Sequence, residues 1–116
     1  MGSFLLRILV SALAAMITAL LLKPAVKVDS FITALILALV LSLLNALVKP
    51  VLVLLTFPVT IITLGLFLFV INALIILLAA KLVPGFKVDG FWWALLFSIV
   101  MTIINSILIS IAGGND

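Results

Sequence analysis

Four apolar runs account for most of the chain, and the polar positions collect between them. The first covers residues 4–22 and ends at Lys23-Pro24, and the second covers 31–48 and ends at Lys49-Pro50. A third stretch, 51–82, contains Pro58 and Gly65. The fourth covers 91–112 and ends in Gly113-Gly114-Asn115-Asp116. A helix needs about 20 residues, within a range of about 17–25, to cross the hydrocarbon core of a bilayer. Runs one, two and four meet that length. The third stretch is too long for one span and divides into 51–63 and 64–82. Its first piece is too short to cross and is broken by Pro58, which lacks an N–H and disfavours helix at Phe57. Thr56, Thr60 and Thr63 can bond back to the carbonyls such a break frees. The pattern predicts an all-α integral membrane four-helix bundle with spans near 4–22, 31–48, 64–82 and 91–112. A short re-entrant or interfacial segment is expected near residues 50–63. A competing reading lets the second helix run past Pro50 to Thr56 and turn at Phe57-Pro58.

The pattern also repeats. Lys27-Val28-Asp29-Ser30-Phe31 returns as Lys87-Val88-Asp89-Gly90-Phe91, a period of 60 residues, and Pro24 returns as Pro84. The correspondence continues into the following runs: Ala34 matches Ala94, Ala38 matches Ser98, Ser42 matches Thr102 and Asn45 matches Asn105. Rare polar residues kept in register within apolar runs make this a specific signal. The chain therefore reads as a single transmembrane domain, 1–116, with halves of about 4–63 and 64–112. Two spans per half insert both halves in the same orientation, as parallel repeats about an axis along the membrane normal. Spans one and three match more weakly, with Ser11-Ala12-Leu13 best set against Asn72-Ala73-Leu74, one residue out of the period.

The matched polar positions follow a helical spacing. Ala38, Ser42 and Asn45 share one face, and Ser98, Thr102 and Asn105 share the equivalent face in the second half. Small and hydroxyl residues on one face of a membrane helix let backbones approach and let side chains bond across, so this stripe is expected to pack helices. Asn45 and Asn105 are expected to face protein, because a lone amide in hydrocarbon costs several kcal/mol. A bundle of short helices normally fills its lumen with side chains, so any conducting path is expected between subunits. Asp29 and Asp89 precede their helices and are positioned to cap them. Lys27, Lys87, Trp92 and Trp93 are suited to anchor at the interface. Gly85, in Val83-Pro84-Gly85-Phe86, reads as a turn.

Composition sharpens this picture. Only 8% of residues are charged and 69% are hydrophobic, against roughly 25% charged in a soluble domain. So few charges cannot cover a water-soluble globule, and lipid is the expected surroundings. The chain has no Cys, His or Tyr. That removes disulfides, the usual metal and haem ligand sets, and the commonest general base. No carboxylate pair, phosphate-cradling loop or activated hydroxyl is evident, so no catalytic, cofactor or metal site is expected. The net charge of +3 comes from cations scattered singly at the ends of apolar runs, which does not make a nucleic-acid surface. Arg7 followed by an apolar core and Ala14-Ala15 has a leader-like look, but the run is longer than a leader's apolar region.

The tandem Leu-x-Pro-x-x-Lys-Val-Asp-x-Phe pattern, Asn-Ala-Leu-Val-Lys-Pro at 45–50, Leu-Thr-Phe-Pro-Val-Thr-Ile-Ile-Thr-Leu-Gly-Leu-Phe, and Val-Pro-Gly-Phe-Lys-Val-Asp-Gly-Phe-Trp together resemble the superfamily IV, four-span phage holin family. The resemblance runs over nearly the whole chain. It departs at Lys23, where the second half has Val83, and at Ser30, where glycine is more usual. It implies a multi-pass protein of the bacterial cytoplasmic membrane with no agreed functional residues. The expected function is non-enzymatic, by helix packing and oligomeric assembly, with membrane permeabilisation as one outcome. The alternative is a structural or accessory subunit that stabilises a larger complex or tunes the envelope; a weaker one is a small transporter or lipid translocase. Expected partners are membrane lipid and copies of the chain or other membrane proteins.

The cations set an orientation. Lys23, Lys27, Lys81 and Lys87 lie between runs on one side, against Arg7 and Lys49 on the other, so the four-lysine side is expected to face the cytoplasm. A Lys27→Cys variant should resist a membrane-impermeant thiol reagent added to intact cells. Ready labelling would place that side outside.

Overall fold

A computed structural model describes residues 2–63 and 65–112. Leu64, expected to open the third span, and the terminal residues 113–116 lie outside the described residues. The elements are α1 (Gly2–Leu21), β1 (Val26–Val28), α2 (Phe31–Leu47), α3 (Lys49–Leu55), α4 (Phe57–Ile62), α5 (Phe67–Leu82), β2 (Phe86–Val88) and α6 (Phe91–Ile111). The chain is mostly helical. Three stretches are long and apolar enough to cross a membrane: Gly2–Leu21, Phe31–Leu55 and Phe91–Ile111. The helix Phe67–Leu82 is apolar but, at 16 residues, extends only about 24 Å at 1.5 Å per residue.

The second span is longer than the apolar pattern indicates. Helical backbone continues beyond Val48 to Leu55, giving a stretch of 25 residues. Pro50 lies in the first turn of α3 and Pro58 in the first turn of α4. A missing N–H matters little at such positions, so each proline opens a new helical segment. The ladder is carried across both junctions by Leu52 N–H to Val48 O (3.1 Å), Thr56 N–H to Leu52 O (3.0 Å) and Thr60 N–H to Thr56 O (2.8 Å). The expected back-bonding holds at two threonines: Thr56 Oγ1 donates to Leu52 O at 2.7 Å and Thr63 Oγ1 to Val59 O at 3.1 Å. Thr60 Oγ1 is buried without a partner among the described residues. Neither α3 nor α4 contains a buried residue. Gly65, at φ 90°, then turns the chain, with its N–H on Thr60 O.

The helices α1, α2, α5 and α6 pack side by side, α1 against α2 and α6, and α5 against α6 and α2. Alanines make this possible: Ala12, Ala14, Ala15, Ala34, Ala73, Ala79 and Ala94 are fully buried. With only a methyl group between backbones, neighbouring helices approach closely and gain dispersion contacts in place of a hydrophobic drive that lipid cannot supply.

The segments between the first and second and between the third and fourth apolar runs are not plain loops. β1 and β2 form a two-stranded antiparallel ribbon, pairing Val26 with Val88, Lys27 with Lys87, and Val28 with Phe86. Two more backbone bonds flank it, Asp29 N–H to Gly85 O (3.0 Å) and Asp89 N–H to Ala25 O (2.9 Å). Lys27 faces its own counterpart Lys87, and the flanking contacts, 26 with 88, 28 with 86, 29 with 85 and 25 with 89, are disposed evenly on either side, so the ribbon is symmetric about the Lys27–Lys87 pair. Alternation does the rest. Val26 and Phe86 point inward, each 1% exposed, while Lys27 and Lys87 point out. Phe86 stacks at a tilt on Phe97, ring centroids 5.2 Å apart, and with Leu37, Ile71 and Val83 forms the densest part of the core. Gly85 has φ 90°, and a Cβ there would stand 3.0 Å from Asp29 Oδ2. The turn therefore requires glycine for both backbone angle and space.

Phe97→Ala should destabilise the protein by about 3–5 kcal/mol, the usual cost of emptying a large aromatic site. Ile62→Ala, at a position 80% exposed, should change stability by less than about 0.5 kcal/mol. Unfolding followed by circular dichroism in detergent reads both. Similar losses for the two would contradict the placement of the core at the ribbon end.

Candidate functional site: a polar cleft between the helices

The polar stripe divides along its length. At the ribbon end, Ala38 (3% exposed) and Ser98 (9% exposed) are enclosed between helices; Ala38 packs with Ala12 and Ala34 where α1 meets α2. Farther from the ribbon the helices part. Ser42, Asn45, Thr102 and Asn105 there line a cleft of about 780 Å³. Its walls come from all four long helices: Arg7 and Ser11 of α1, Ser42 and Asn45 of α2, Asn72 of α5, and Ser98, Thr102, Asn105 and Ser106 of α6, with Lys49 at the start of α3. Asn45, Thr102, Ser106 and Arg7 are exposed, so the cleft is open. The expectation of a lumen filled with side chains fails over this half of the molecule. Serine, threonine and asparagine at facing positions are too small to close the gap that the bulky residues near the ribbon leave between the diverging helices.

The lining follows the repeat. Positions 38 and 98, 41 and 101, 42 and 102, 45 and 105, and 49 and 109 all contribute. Ser11 and Asn72 contribute as well, the pair that matches one residue out of period. Asn105 Oδ1 accepts from Ser11 Oγ at 3.3 Å, tying α6 to α1. Asn105 is thus half-buried and engaged with protein. Asn45 is exposed to the cleft. Thr102 Oγ1 donates to Ser98 O at 2.8 Å within its own helix, and Thr18 Oγ1 to Ala14 O at 2.6 Å. The stripe itself was visible in the sequence. Arg7 and Asn72 were not assigned to it, although the weak match of Ser11 with Asn72 pointed to the latter.

Charge breaks the symmetry. Arg7 and Lys49 bring two cations to the cleft, whereas the position equivalent to Lys49 is Ile109. Among the described residues no aspartate lines it; Asp29 and Asp89 lie beside the ribbon.

At the ribbon end the expected anchors occupy the rim. Lys27 and Lys87 are exposed, as are Trp92 (74%) and Trp93 (39%). Two smaller grooves flank the ribbon. One is lined by Lys23, Lys27 and Asp29, and the other by Lys81, Lys87 and Asp89. The helix cap itself is not Asp29. Ser30 takes that position, its Oγ accepting from Thr33 N–H at 3.2 Å. Gly90, with φ 140°, occupies the equivalent place without a side-chain cap. Asp29 and Asp89 sit one residue earlier, and their N–H groups donate across the ribbon to Gly85 and Ala25 carbonyls, which fixes them at its edge.

Residues 2–107 match the family described as mycobacterial 4 TMS phage holin, superfamily IV. An uncharacterised protein of Streptomyces coelicolor, SCO3922, is 50% identical over 62 residues, covering 50% of each chain. The uncharacterised membrane protein YvlD of Bacillus subtilis is 40% identical over 62 residues, 53% of this chain and 52% of that one. The matches thus span about half the length of these relatives. No solved structure matches. With its apolar helices and a family match that runs nearly end to end, the chain is a multi-pass protein of the bacterial inner membrane and belongs to the superfamily IV phage holin family.

Proposed function

We propose that the protein acts without covalent chemistry, as a holin-like membrane protein that assembles with copies of itself, and that any permeation path forms between subunits. The observation that carries this reading is the one-ended cleft. It opens away from the ribbon and stops near Ala38 and Ser98. Beyond that level Leu37, Phe97, Val26 and Phe86 close the molecule. A single copy therefore offers no continuous polar route. It does present Asn45, Thr102 and Ser106 at a depth where lipid tails cannot satisfy them, a cost that association or hydration must offset. In this reading α5 completes a fourth span despite its length, with the turn before it lying near the headgroups. The two halves act as parallel repeats whose pseudo-twofold axis passes through the Lys27–Lys87 pair and the cleft.

A second reading, an accessory subunit of a larger membrane complex, has its own support. Residues 51–62 form a helical, apolar segment with no buried side chain, including Leu54, Leu55 and Ile62 at 74–80% exposure. Such a surface suits a neighbouring membrane protein as well as lipid.

Cross-linking in native membranes, together with a potential-sensitive dye in the same cells, separates the two. Self-assembly predicts multimers of this chain alone and a fall in membrane potential as expression rises. Asn45→Leu with Asn105→Leu should reduce the potential loss at least about tenfold, since conduction between subunits would depend on those amides. Multimers with the potential intact, accompanied by cross-links to other membrane proteins, would favour the accessory role. Isolation as a monomer from native membranes in mild detergent, without cross-links, would overturn assembly in both forms.

A further inference from the structure

The cleft has a composition that points to its occupant. At 1.5 Å per residue, Asn45 and Asn105 lie about 21 Å along their helices from Phe31 and Phe91, and Lys49 about 27 Å from Phe31. The exposed tryptophans and the lysine ribbon mark one membrane interface. With a hydrocarbon core about 30 Å thick, Lys49 then stands close to the opposite headgroup layer. Arg7 and the two asparagines lie a few ångströms below it, and Ser42 and Thr102 near the midplane. A polar cleft at that depth cannot be left to acyl chains; water or a polar ligand must fill it. Its volume of about 780 Å³ falls within the range of small-molecule sites, about 300–1,000 Å³.

Two features select among ligands. Among the described residues the charged lining is cationic, Arg7 and Lys49. A guanidinium and an ammonium held together favour a phosphate, the first by paired hydrogen bonds and the second as a point charge. The polar groups also share the cleft with Phe4, Ile8 and Ile109, and Phe4 is half exposed at the mouth. A free anion has no use for that apolar wall, whereas a headgroup still attached to its acyl chains does.

We propose that the cleft binds the headgroup of an anionic phospholipid, its phosphate held by Arg7 and Lys49 and its polar remainder facing Asn45 and Asn105. The site lies within one copy of the chain, so the proposal is independent of whether copies assemble.

The test uses the full chain in a neutral detergent, titrated with short-chain phosphatidylglycerol, with phosphatidylcholine of the same chain length, and with inorganic phosphate. Phosphatidylglycerol should bind at least tenfold more tightly than phosphatidylcholine, and inorganic phosphate in hundredfold excess should not displace it. Arg7→Gln with Lys49→Gln should abolish the preference. Lys27→Gln with Lys87→Gln, the same charge change at the ribbon end, should leave it within twofold. Should the first pair not fold by circular dichroism, Ser42→Leu with Thr102→Leu fills the cleft at constant charge and should weaken phosphatidylglycerol at least tenfold. Equal affinity for the two lipids, or equal losses from the two cation pairs, would overturn the proposal. So would full retention of binding with the cleft filled. Displacement by inorganic phosphate would assign the site to a free anion and overturn the lipid as its source.

Discussion

The backbone pairing between Val26–Val28 and Phe86–Val88 is the constraint from which the rest of the molecule follows. It joins segments that occupy the same place in two repeated halves, and it joins them antiparallel. The register centres on Lys27 opposite Lys87, and the pairing sets both segments at the same end of the molecule. The bonds from Asp29 and Asp89 N–H to Gly85 and Ala25 carbonyls extend the tie on both sides. The pairing satisfies the facing backbone groups of both strands, which unpaired would need water.

The tie also explains why one end is dense and the other open. Val26 and Phe86 direct large side chains into the bundle from the ribbon, and Phe97, Leu37 and Ile71 close around them. No equivalent plug exists at the far end among the described residues. There the facing positions hold serine, threonine and asparagine, which cannot fill the space between helices that diverge from a fixed point. Close alanine packing at one end and a hydrated or ligand-filled cleft at the other are two consequences of a single anchored end. Away from the cleft and the ribbon the exterior is largely apolar, with Leu20, Ile32, Leu47 and Ile111 all more than 60% exposed, as lipid contact requires.

Much of this was legible in the sequence, and the gaps have physical causes. Run lengths located α1, α6 and most of α2, because a bilayer imposes a narrow range of apolar lengths. The period of 60 between Lys27 and Lys87 singles out the two segments that pair as strands, since polar residues kept in register within apolar runs are hard to obtain by chance. The second span runs on through α3 to Leu55, as the competing reading of a helix past Pro50 expects, because a proline in a first turn opens a helix as readily as it closes one. The ribbon, by contrast, was missed. Val26-Lys27-Val28 and Phe86-Lys87-Val88 do alternate, but three residues are too few to announce a strand, and the partner lies in the other half of the chain. Ser42, Asn45, Thr102 and Asn105 share the face their spacing indicates, and they line an open cleft, a setting that no local pattern encodes. The capping role belongs to Ser30, one residue after Asp29.

Pairing of Lys27 with Lys87 can be tested directly, because the natural sequence has no cysteine to interfere. Lys27→Cys with Lys87→Cys places two thiols at directly opposed strand positions, where Cα atoms stand about 4.5–5.5 Å apart, inside the range a disulfide spans. Mild oxidation of native membranes should give a rapid cross-link within one chain, seen as a faster-migrating monomer that reductant restores. Lys27→Cys with Lys81→Cys, which lie on different elements and are not strand partners, should cross-link far more slowly. Cross-links forming only between chains, or equal rates for the two pairs, would contradict the symmetric ribbon and with it the arrangement of both halves.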